Sequence, residues 1–172
     1  MKIRYFILIF FLFIVVFCRE NPKKTSDIFR PGKKEMTDLN RYLVQKDRER
    51  IQNYIERKNL SMTETSTGLW YQITHDGPGA HFTEGDKISM DYNCSLLDGT
   101  MCYSSEKLGP KEIILGKSEI ESGLNEGLHL LKPGSEAIFI LPPYLAYGLI
   151  GDRRMIPPRA IIVYKVNILR SP

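Results

Sequence analysis

The sequence is poor in the residues and motifs on which polar catalysis depends. It contains three histidines and three cysteines, and no histidine has a cysteine or a carboxylate at the spacing of a metal site. The G-x-S-x-G motif, the P-loop and the glycine fingerprint of dinucleotide binding are absent. No set of residues for hydrolysis or group transfer emerges. We therefore predict no metal and no cofactor, and an enzyme made from this chain would have to work without a nucleophile.

A strong charge of one sign is also missing from the part of the chain that looks globular. The whole sequence has a formal charge of +4, but residues 61–172 hold 10 basic and 13 acidic residues. The basic excess therefore lies toward the N-terminus. This balance argues against a nucleic-acid-binding surface on the globular part.

The apolar run at the N-terminus, Tyr5–Phe17, is shorter than the roughly 20 residues that a membrane-spanning helix needs. Cations precede the run and Cys18 follows it directly, which is typical of a bacterial lipoprotein signal at residues 1–18. Lipidation of Cys18 would make this an exported protein of the bacterial cell envelope, anchored to a membrane and facing the periplasm. Val16 and Phe17 are larger than the residues usual before such a cysteine. A short membrane anchor that ends in cysteine is the alternative.

Two segments separate this signal from the globular part. Residues 19–35 are rich in charge and contain proline and glycine, which predicts a tether. Its basic excess favours contact with an anionic membrane, and an ordinary solvated charge run is an equal alternative. Residues 36–62 carry Leu39, Leu43 and Ile51 at helical spacing, which predicts a helical extension. We expect that extension to pack against the domain; binding of a partner protein is the alternative.

The rest of the chain changes to the two-residue period of strands. Residues 87–97 and 160–169 alternate between apolar and polar side chains, as half-buried antiparallel strands do. Further strands are predicted at 69–74, 100–105, 112–115 and 136–141. Ile120, Leu124, Leu128 and Leu131 mark one face of a helix between these strands. The predicted class is α+β, a twisted antiparallel sheet that buries one face against this helix.

Cys94 and Cys102 lie on either side of a predicted Asp98-Gly99 hairpin turn. A three-residue loop would place the two cysteines opposite each other, within reach of a disulfide, and an exported protein can form one. A two-residue loop would offset them. The alternative is that Cys94 is a buried, reduced thiol that packs as a small apolar residue.

Four separate segments carry a family resemblance. "YNCSLLDGTMCYSS", "ILGKSEIESGLNEG", "LKPGSEAIFILPPYLAYG" and "IPPRAIIVYKV" stand in the order and spacing of the FK506-binding-type (FKBP) peptidyl-prolyl cis-trans isomerases. The resemblance covers a predicted domain at 66–172. The N-terminal features and "TGLWYQI" resemble the gliding-motility-associated membrane lipoprotein branch. The fold implied is a half-barrel of antiparallel strands wrapped around one short helix, with an aromatic pocket between them.

The resemblance also implies which residues act. A prolyl ring of the substrate would enter a pocket whose catalytic groups are Tyr92, Tyr147, Tyr164 and the backbone N–H of Glu121. The resemblance places the substrate-binding residues at Cys102, Tyr103, Ile120, Leu124 and Ile156. The apolar loop at 139–158 is then one wall of that pocket.

Two positions depart from the family pattern. Cys102-Tyr103 replaces a Phe-Asp pair, which predicts a pocket with one ring fewer and without its only carboxylate. Lys111 stands where the drug-binding members have an aromatic residue.

The resemblance as a whole predicts a membrane-tethered prolyl isomerase that assists folding of exported or envelope proteins by acting on proline-containing polypeptides. The alternative is a non-catalytic FKBP-like binding module, a chaperone or a scaffold of an envelope (gliding) machinery.

Overall fold

The structure is a computed structural model that describes residues 32–169. The predicted signal with Cys18 lies outside these residues, and so does most of the predicted tether. By its contacts the chain divides into two units, Met1–Thr37 and Asp38–Pro172, and the first is described only at the start of a helix. Within residues 32–169 no helix has both the length and the apolar character needed to cross a membrane.

Helix α1 spans Lys33–Lys58. It begins inside the segment predicted as a tether (19–35), and it ends before residue 62, where the predicted extension stops. Asn59 follows with a left-handed φ of 51°, a conformation that ends a helix. Ile51 of the helix is buried in one cluster with Ile140 and Val163 of the sheet. This part of the helix therefore packs against the domain.

Within the described residues the sheet has seven strands, which are β1 (Thr63–Glu64), β2 (Trp70–His75), β3 (Lys87–Leu96), β4 (Met101–Ser104), β5 (Lys111–Ile114), β6 (Glu136–Leu141) and β7 (Ile162–Ile168). The strand order is β1-β2-β6-β7-β3-β4, and every pairing is antiparallel. Strand β5 pairs with the first half of β3. The predicted α+β class and the twisted antiparallel sheet around a short helix are confirmed.

The alternation predicted for β3 and β7 is present. Ile88, Met90 and Cys94 of β3 are buried in the main core, together with Tyr164 and Val166 of β7. The buried residues share one face of each strand because side chains alternate across a sheet. Val163 points the other way and is also buried, because α1 covers part of the outer face.

Two further helices lie between the strands, α2 (Ser105–Leu108) and α3 (Ser122–Leu128). Helix α3 is the predicted helix, but it is shorter than the apolar positions indicate, since Ile120 precedes it and Leu131 follows it. It buries Leu124 and Leu128 against the inner face of the sheet. Helix α2 was not predicted, and a 3₁₀ turn at Pro143–Leu145 follows β6.

The hairpin between β3 and β4 shows why the predicted disulfide is wrong. Leu96 N–H donates to the Thr100 carbonyl at 2.9 Å, which closes a three-residue loop with Gly99 at a φ of 94°. That loop alone would place Cys94 opposite Cys102. A register shift in the ladder instead pairs Cys94 with Tyr103. Both cysteines are free and buried, so the alternative of a buried, reduced Cys94 is confirmed.

Candidate active site

The residues that the resemblance assigns to the pocket lie together between α3, the inner face of the sheet and the loop at 142–161. Those that belong to the main buried cluster are Cys102, Leu124, Ile156 and Tyr164. Those that pack against the cluster while partly exposed are Tyr92, Tyr103, Ile120 and Tyr147. Glu121 joins them through a hydrogen bond from Tyr164. The fold therefore places every predicted site residue within the described chain in the main core or against it.

The aromatic part of the site is built by neighbouring strands. Tyr92 of β3 and Tyr164 of β7 have ring centroids 6.2 Å apart and planes inclined by 50°, a geometry typical of favourable aromatic pairs. Leu124 of α3 belongs to the same cluster as Tyr164 and is fully buried. The strands and the helix thus fix the inner part of the site, whereas Tyr147 and Ile156 come from the loop.

The loop is held by the carboxylate of Asp152. Its Oδ1 accepts hydrogen bonds from the backbone N–H of Arg154 and of Ile156, each at 2.8 Å. Its Oδ2 accepts a hydrogen bond from the Tyr103 hydroxyl. Burial favours the neutral acid, yet these bonds lower the pKa of Asp152 below its ordinary value. The same bond raises the pKa of Tyr103. Tyr103 therefore anchors the loop that carries Ile156.

The side chain of Glu121 occupies the inner part of the site. The residue is 7% exposed, and its Oε1 accepts a hydrogen bond from the Tyr164 hydroxyl at 2.7 Å. Within residues 32–169 its Oε2 is buried and has no hydrogen-bond partner; Lys111 Nζ lies 3.9 Å from it. The prediction that this site has no carboxylate is therefore wrong. Glu121 supplies one from a position for which only the backbone N–H was expected to matter.

The two inner tyrosines are held as neutral hydrogen-bond donors. Burial, reinforced by the Glu121 carboxylate, raises the pKa of Tyr147 well above its ordinary value. Burial and the same negative charge raise the pKa of Tyr164. Both hydroxyls therefore keep their protons at any physiological pH. The Tyr147 residue as a whole is partly exposed, and its hydroxyl lies beside the Glu121 carboxylate.

A second donor for an incoming chain is the backbone N–H of Glu121, the residue just before α3. None of the hydrogen bonds among residues 32–169 uses this N–H as a donor. This N–H belongs to the same residue whose side chain enters the site. The two donors expected from the resemblance, Tyr147 O–H and Glu121 N–H, therefore belong to one region. Together they can hold a polypeptide by its carbonyl groups.

The two thiols in the part of the chain that the structure describes, Cys94 and Cys102, offer no nucleophile. Burial raises the pKa of Cys94 to about 12, and burial, helped by the charge of Asp152, raises the pKa of Cys102. Cys102 Sγ lies 3.6 Å from the Met155 carbonyl oxygen. Both thiols therefore remain protonated near neutral pH. Only the deprotonated thiolate is a reactive nucleophile. Cys102 therefore contributes an apolar surface and not a reactive group.

Three groups of this site escaped the sequence analysis. Lys111 was singled out only as a replaced aromatic; its Nζ lies 5.9 Å from the Tyr92 ring centroid. Asp152 is separated from Tyr103 by 49 residues, and no local pattern signals such a partner. The Glu121 side chain precedes a helix, where acidic residues are common for local reasons. Its burial follows only from the packing of α3 on the sheet.

The comparisons with known proteins concern the sequence and the fold of this chain. Residues 79–169 match the sequence profile described as "FKBP-type peptidyl-prolyl cis-trans isomerase". A probable FKBP-type isomerase, FkpA of Neisseria meningitidis, is 36% identical over 62% of this chain. The isomerase Mip of Coxiella burnetii is 35% identical over 60% of it. The crystal structure of FkpA from Escherichia coli matches 78% of this chain, at 26% identity with a TM-score of 0.64.

These relatives are longer than the segment they share with this protein. The matched segment covers 39% of the Neisseria protein and 45% of the Coxiella protein, and 62% of the crystallised chain. The two sequence matches span 62% and 60% of this chain, whereas the structural match, at 78%, extends to residues before the end of α1 at Lys58. The profile nevertheless covers more than half of the 172-residue sequence, and the predicted family is confirmed: this chain belongs to the FKBP-type peptidyl-prolyl cis-trans isomerases.

Proposed function

We propose that this protein catalyses cis–trans isomerisation of the peptide bond before proline in polypeptide substrates. The observation that carries the proposal is that Leu124, Ile156 and Tyr164 belong to one buried cluster against which the partly exposed Tyr92 and Tyr147 pack. A proline ring is apolar and compact, and these rings and branched side chains offer it a matching apolar surface. Tyr147 O–H and the backbone N–H of Glu121 are the two donors that would hold carbonyl groups of the substrate.

The chemistry requires neither a nucleophile nor a metal. Amide resonance opposes rotation about a peptide bond by about 18–20 kcal/mol, and unaided X–Pro isomerisation takes tens to hundreds of seconds. A twisted amide has lost that resonance and is less polar than the planar amide. A buried aromatic site therefore disfavours the planar form more than the twisted form, which is stronger binding of the transition state than of the ground state.

The family resemblance supports the following roles for the residues. Tyr147 O–H donates to the carbonyl before the proline, and Glu121 N–H donates to a second substrate carbonyl. Tyr92, Tyr164, Leu124, Ile120 and Ile156 contact the ring. Cys102 and Tyr103 border the site. Tyr103 affects it mainly by holding Asp152, because the Tyr103 hydroxyl donates to that carboxylate.

The same proposal places the enzyme at the bacterial cell envelope. The short apolar run followed by Cys18 supports export and lipidation, with residues 19–35 beginning the tether. Its substrates are then exported or envelope proteins that need prolyl isomerisation to fold. Radiolabelled fatty acid should enter the wild-type protein in bacterial cells and not the Cys18→Ser variant. Equal labelling of the two would contradict lipidation at Cys18.

A second candidate function is a non-catalytic binding module, such as a chaperone or a scaffold in an envelope machinery of the gliding type. The observation that favours it is the Cys102-Tyr103 pair. Where the family has Phe-Asp, this chain has a thiol and a phenol whose hydroxyl is already bonded to Asp152. Such a protein would hold proline-containing segments without accelerating their isomerisation.

An isomerase assay on the wild type and on Tyr103→Asp separates the two candidates. The enzyme proposal predicts that wild-type protein accelerates cis–trans exchange in an X–Pro peptide above the rate in buffer. The binding-module candidate predicts a wild-type rate equal to the rate in buffer, so the wild type decides between the two; Tyr103→Asp tests whether the family's carboxylate adds activity although it removes the hydroxyl bonded to Asp152. Circular dichroism of both proteins confirms that each is folded when assayed.

A further inference from the structure

Helix α1 lies outside the segment that matches the family profile, yet it buries an acidic residue in the domain. Asp47 is 4% exposed, and it is one of the helix's two buried residues, with Ile51. A carboxylate removed from water is costly unless a charged or hydrogen-bonding partner compensates it. The partner of Asp47 therefore indicates what this residue does.

That partner is Arg159, which lies 112 residues further along the chain. Arg159 Nη2 donates to Asp47 Oδ2 at 2.7 Å, and the two side chains are 31% and 6% exposed. Arg50, on the same helix, approaches Asp47 Oδ1 only to 3.6 Å and is mostly exposed. The principal contact of the buried carboxylate is thus with the loop that follows Ile156-Pro157-Pro158, the loop that forms one side of the candidate active site.

The backbone of Arg159 is held in a disfavoured conformation. Its φ is 58°, in the left-handed region that residues with a side chain rarely adopt. Its N–H donates to the Gly148 carbonyl at 2.9 Å, and Gly148 follows Tyr147 directly. Such a conformation persists where the surroundings enforce it, and it is common at functional sites. The side chain of the same residue is held by the ion pair with Asp47.

We propose that Asp47 is a positioning residue for the active site. Through the Arg159 guanidinium it holds the Arg159 backbone, which in turn holds Gly148 and sets where the adjacent Tyr147 hydroxyl lies. The helical extension then contributes to catalysis, in addition to connecting the domain to the N-terminal segment. The effect on catalysis rests on the proposed isomerase function, whereas the effect on the loop does not.

A purely structural role is the competing account, since the ion pair also fastens α1 to the domain. The chain provides a matched control in Arg48 and Glu64. Arg48 Nη2 lies 2.6 Å from Glu64 Oε2, so this pair fastens the same helix to strand β1. It has no contact with the loop at 142–161 among its hydrogen bonds. Breaking it weakens the attachment of α1 without releasing Arg159.

The experiment compares Asp47→Asn, Arg159→Gln, their double variant, Asp47→Glu and Glu64→Gln in the full chain. We expect Asp47→Asn to lower kcat/KM by about tenfold, mainly through kcat, because displacements of about 1 Å at a catalytic group cost up to about a hundredfold. Arg159→Gln should match it, and the double variant should be no worse than either single variant. Asp47→Glu should recover part of the activity, and Glu64→Gln should retain wild-type kcat/KM.

Hydrogen exchange gives a second readout that does not require activity. Amides in residues 146–161 should exchange faster in Asp47→Asn than in the wild type, relative to strand β7 in the same molecule. Glu64→Gln should leave that ratio unchanged. The proposal is overturned if Asp47→Asn and Glu64→Gln have the same kcat/KM, or if exchange at 146–161 is unaltered in Asp47→Asn.

The two readouts separate this proposal from the proposed function. If the folded wild type shows no isomerase activity, the proposed function fails, and exchange alone decides the positioning role. Faster exchange at 146–161 in Asp47→Asn then supports it, and unchanged exchange overturns it.

Discussion

Glu121 and Tyr164 form a hydrogen bond in the interior that links the start of α3 to strand β7. Tyr164 is 1% exposed and Glu121 is 7% exposed, so neither group can exchange its partner for water. A buried polar group left without its partner costs about 1–3 kcal/mol, whereas replacing both partners with apolar groups can be nearly neutral. This asymmetry makes the pair testable by a double-mutant cycle.

We predict that Glu121→Leu lowers the free energy of unfolding by about 1–3 kcal/mol, because the Tyr164 hydroxyl loses its acceptor. Adding Tyr164→Phe should restore most of that loss. Urea unfolding of the wild type, both single variants and the double variant measures the coupling. Strictly additive losses would contradict a direct interaction between the two side chains.

At the scale of elements, α3 lies close against the sheet because Gly127 faces the ring of Phe139. A Cβ built at Gly127 would lie 2.8 Å from ring atoms of Phe139, closer than such contacts allow. Phe139 is fully buried, so the ring cannot turn into solvent. The absence of a side chain at this position therefore sets how near the helix approaches strand β6.

Gly127→Ala should destabilise the protein by about 1–3 kcal/mol, the usual cost of overpacking a core, despite the better helix propensity of alanine. Thermal or urea unfolding measures the change. Ser122→Ala is the control, since Ser122 is an exposed residue of the same helix. A Gly127→Ala variant as stable as the wild type would show that α3 can move away from the sheet at no cost.

Elements with a regular pattern could be predicted from the sequence, and contacts between distant segments could not. Strand β6 was predicted at 136–141 and lies at Glu136–Leu141, because its apolar residues and the turns around it are local signals. The register shift opposite Cys94 has no such signal. It accompanies α2, whose Ser105 Oγ accepts a hydrogen bond from Tyr92 N–H at 3.1 Å.

The same distinction between local signals and distant contacts applies to the residues of the candidate site. Its aromatic and aliphatic residues could be predicted, because the family motifs "YNCS", "AYG" and "IPP" fix their positions. Its buried charges could not, since the burial of Glu121 depends on how a helix packs on a sheet. The contact between Asp47 and Arg159 joins residues 112 positions apart, and one of them lies outside the motifs altogether.

At the scale of the whole molecule, the buried thiol and phenol groups predict how the free energy of unfolding depends on pH. Burial raises the pKa of Cys94 from 9.0 to about 12, and it raises those of Tyr147 and Tyr164 above their ordinary value. The unfolded chain therefore loses these protons at lower pH than the folded protein does. Their contribution to stability is complete below about pH 9 and is lost as the pH rises toward the folded-state values.

We predict that the free energy of unfolding falls between pH 9 and pH 11, by up to about 1.4 kcal/mol per pH unit for each of these groups. Urea unfolding at a series of pH values gives the slope. Cys94→Ala should make the fall less steep, because one of the three groups is gone. A stability that is constant or rises over this range would contradict the burial of these protons.

The most direct test of the central claim is the rate of cis–trans exchange in a short X–Pro peptide, followed by NMR in the presence of the full chain. We predict that the wild type accelerates exchange well above the rate in buffer. Tyr147→Phe should lower kcat/KM by about three- to tenfold, since the lost donor is worth about 0.5–1.5 kcal/mol. Tyr144→Phe, which removes a nearby hydroxyl outside the site cluster, should leave the rate unchanged. Exchange at the buffer rate with folded wild-type protein would contradict the account.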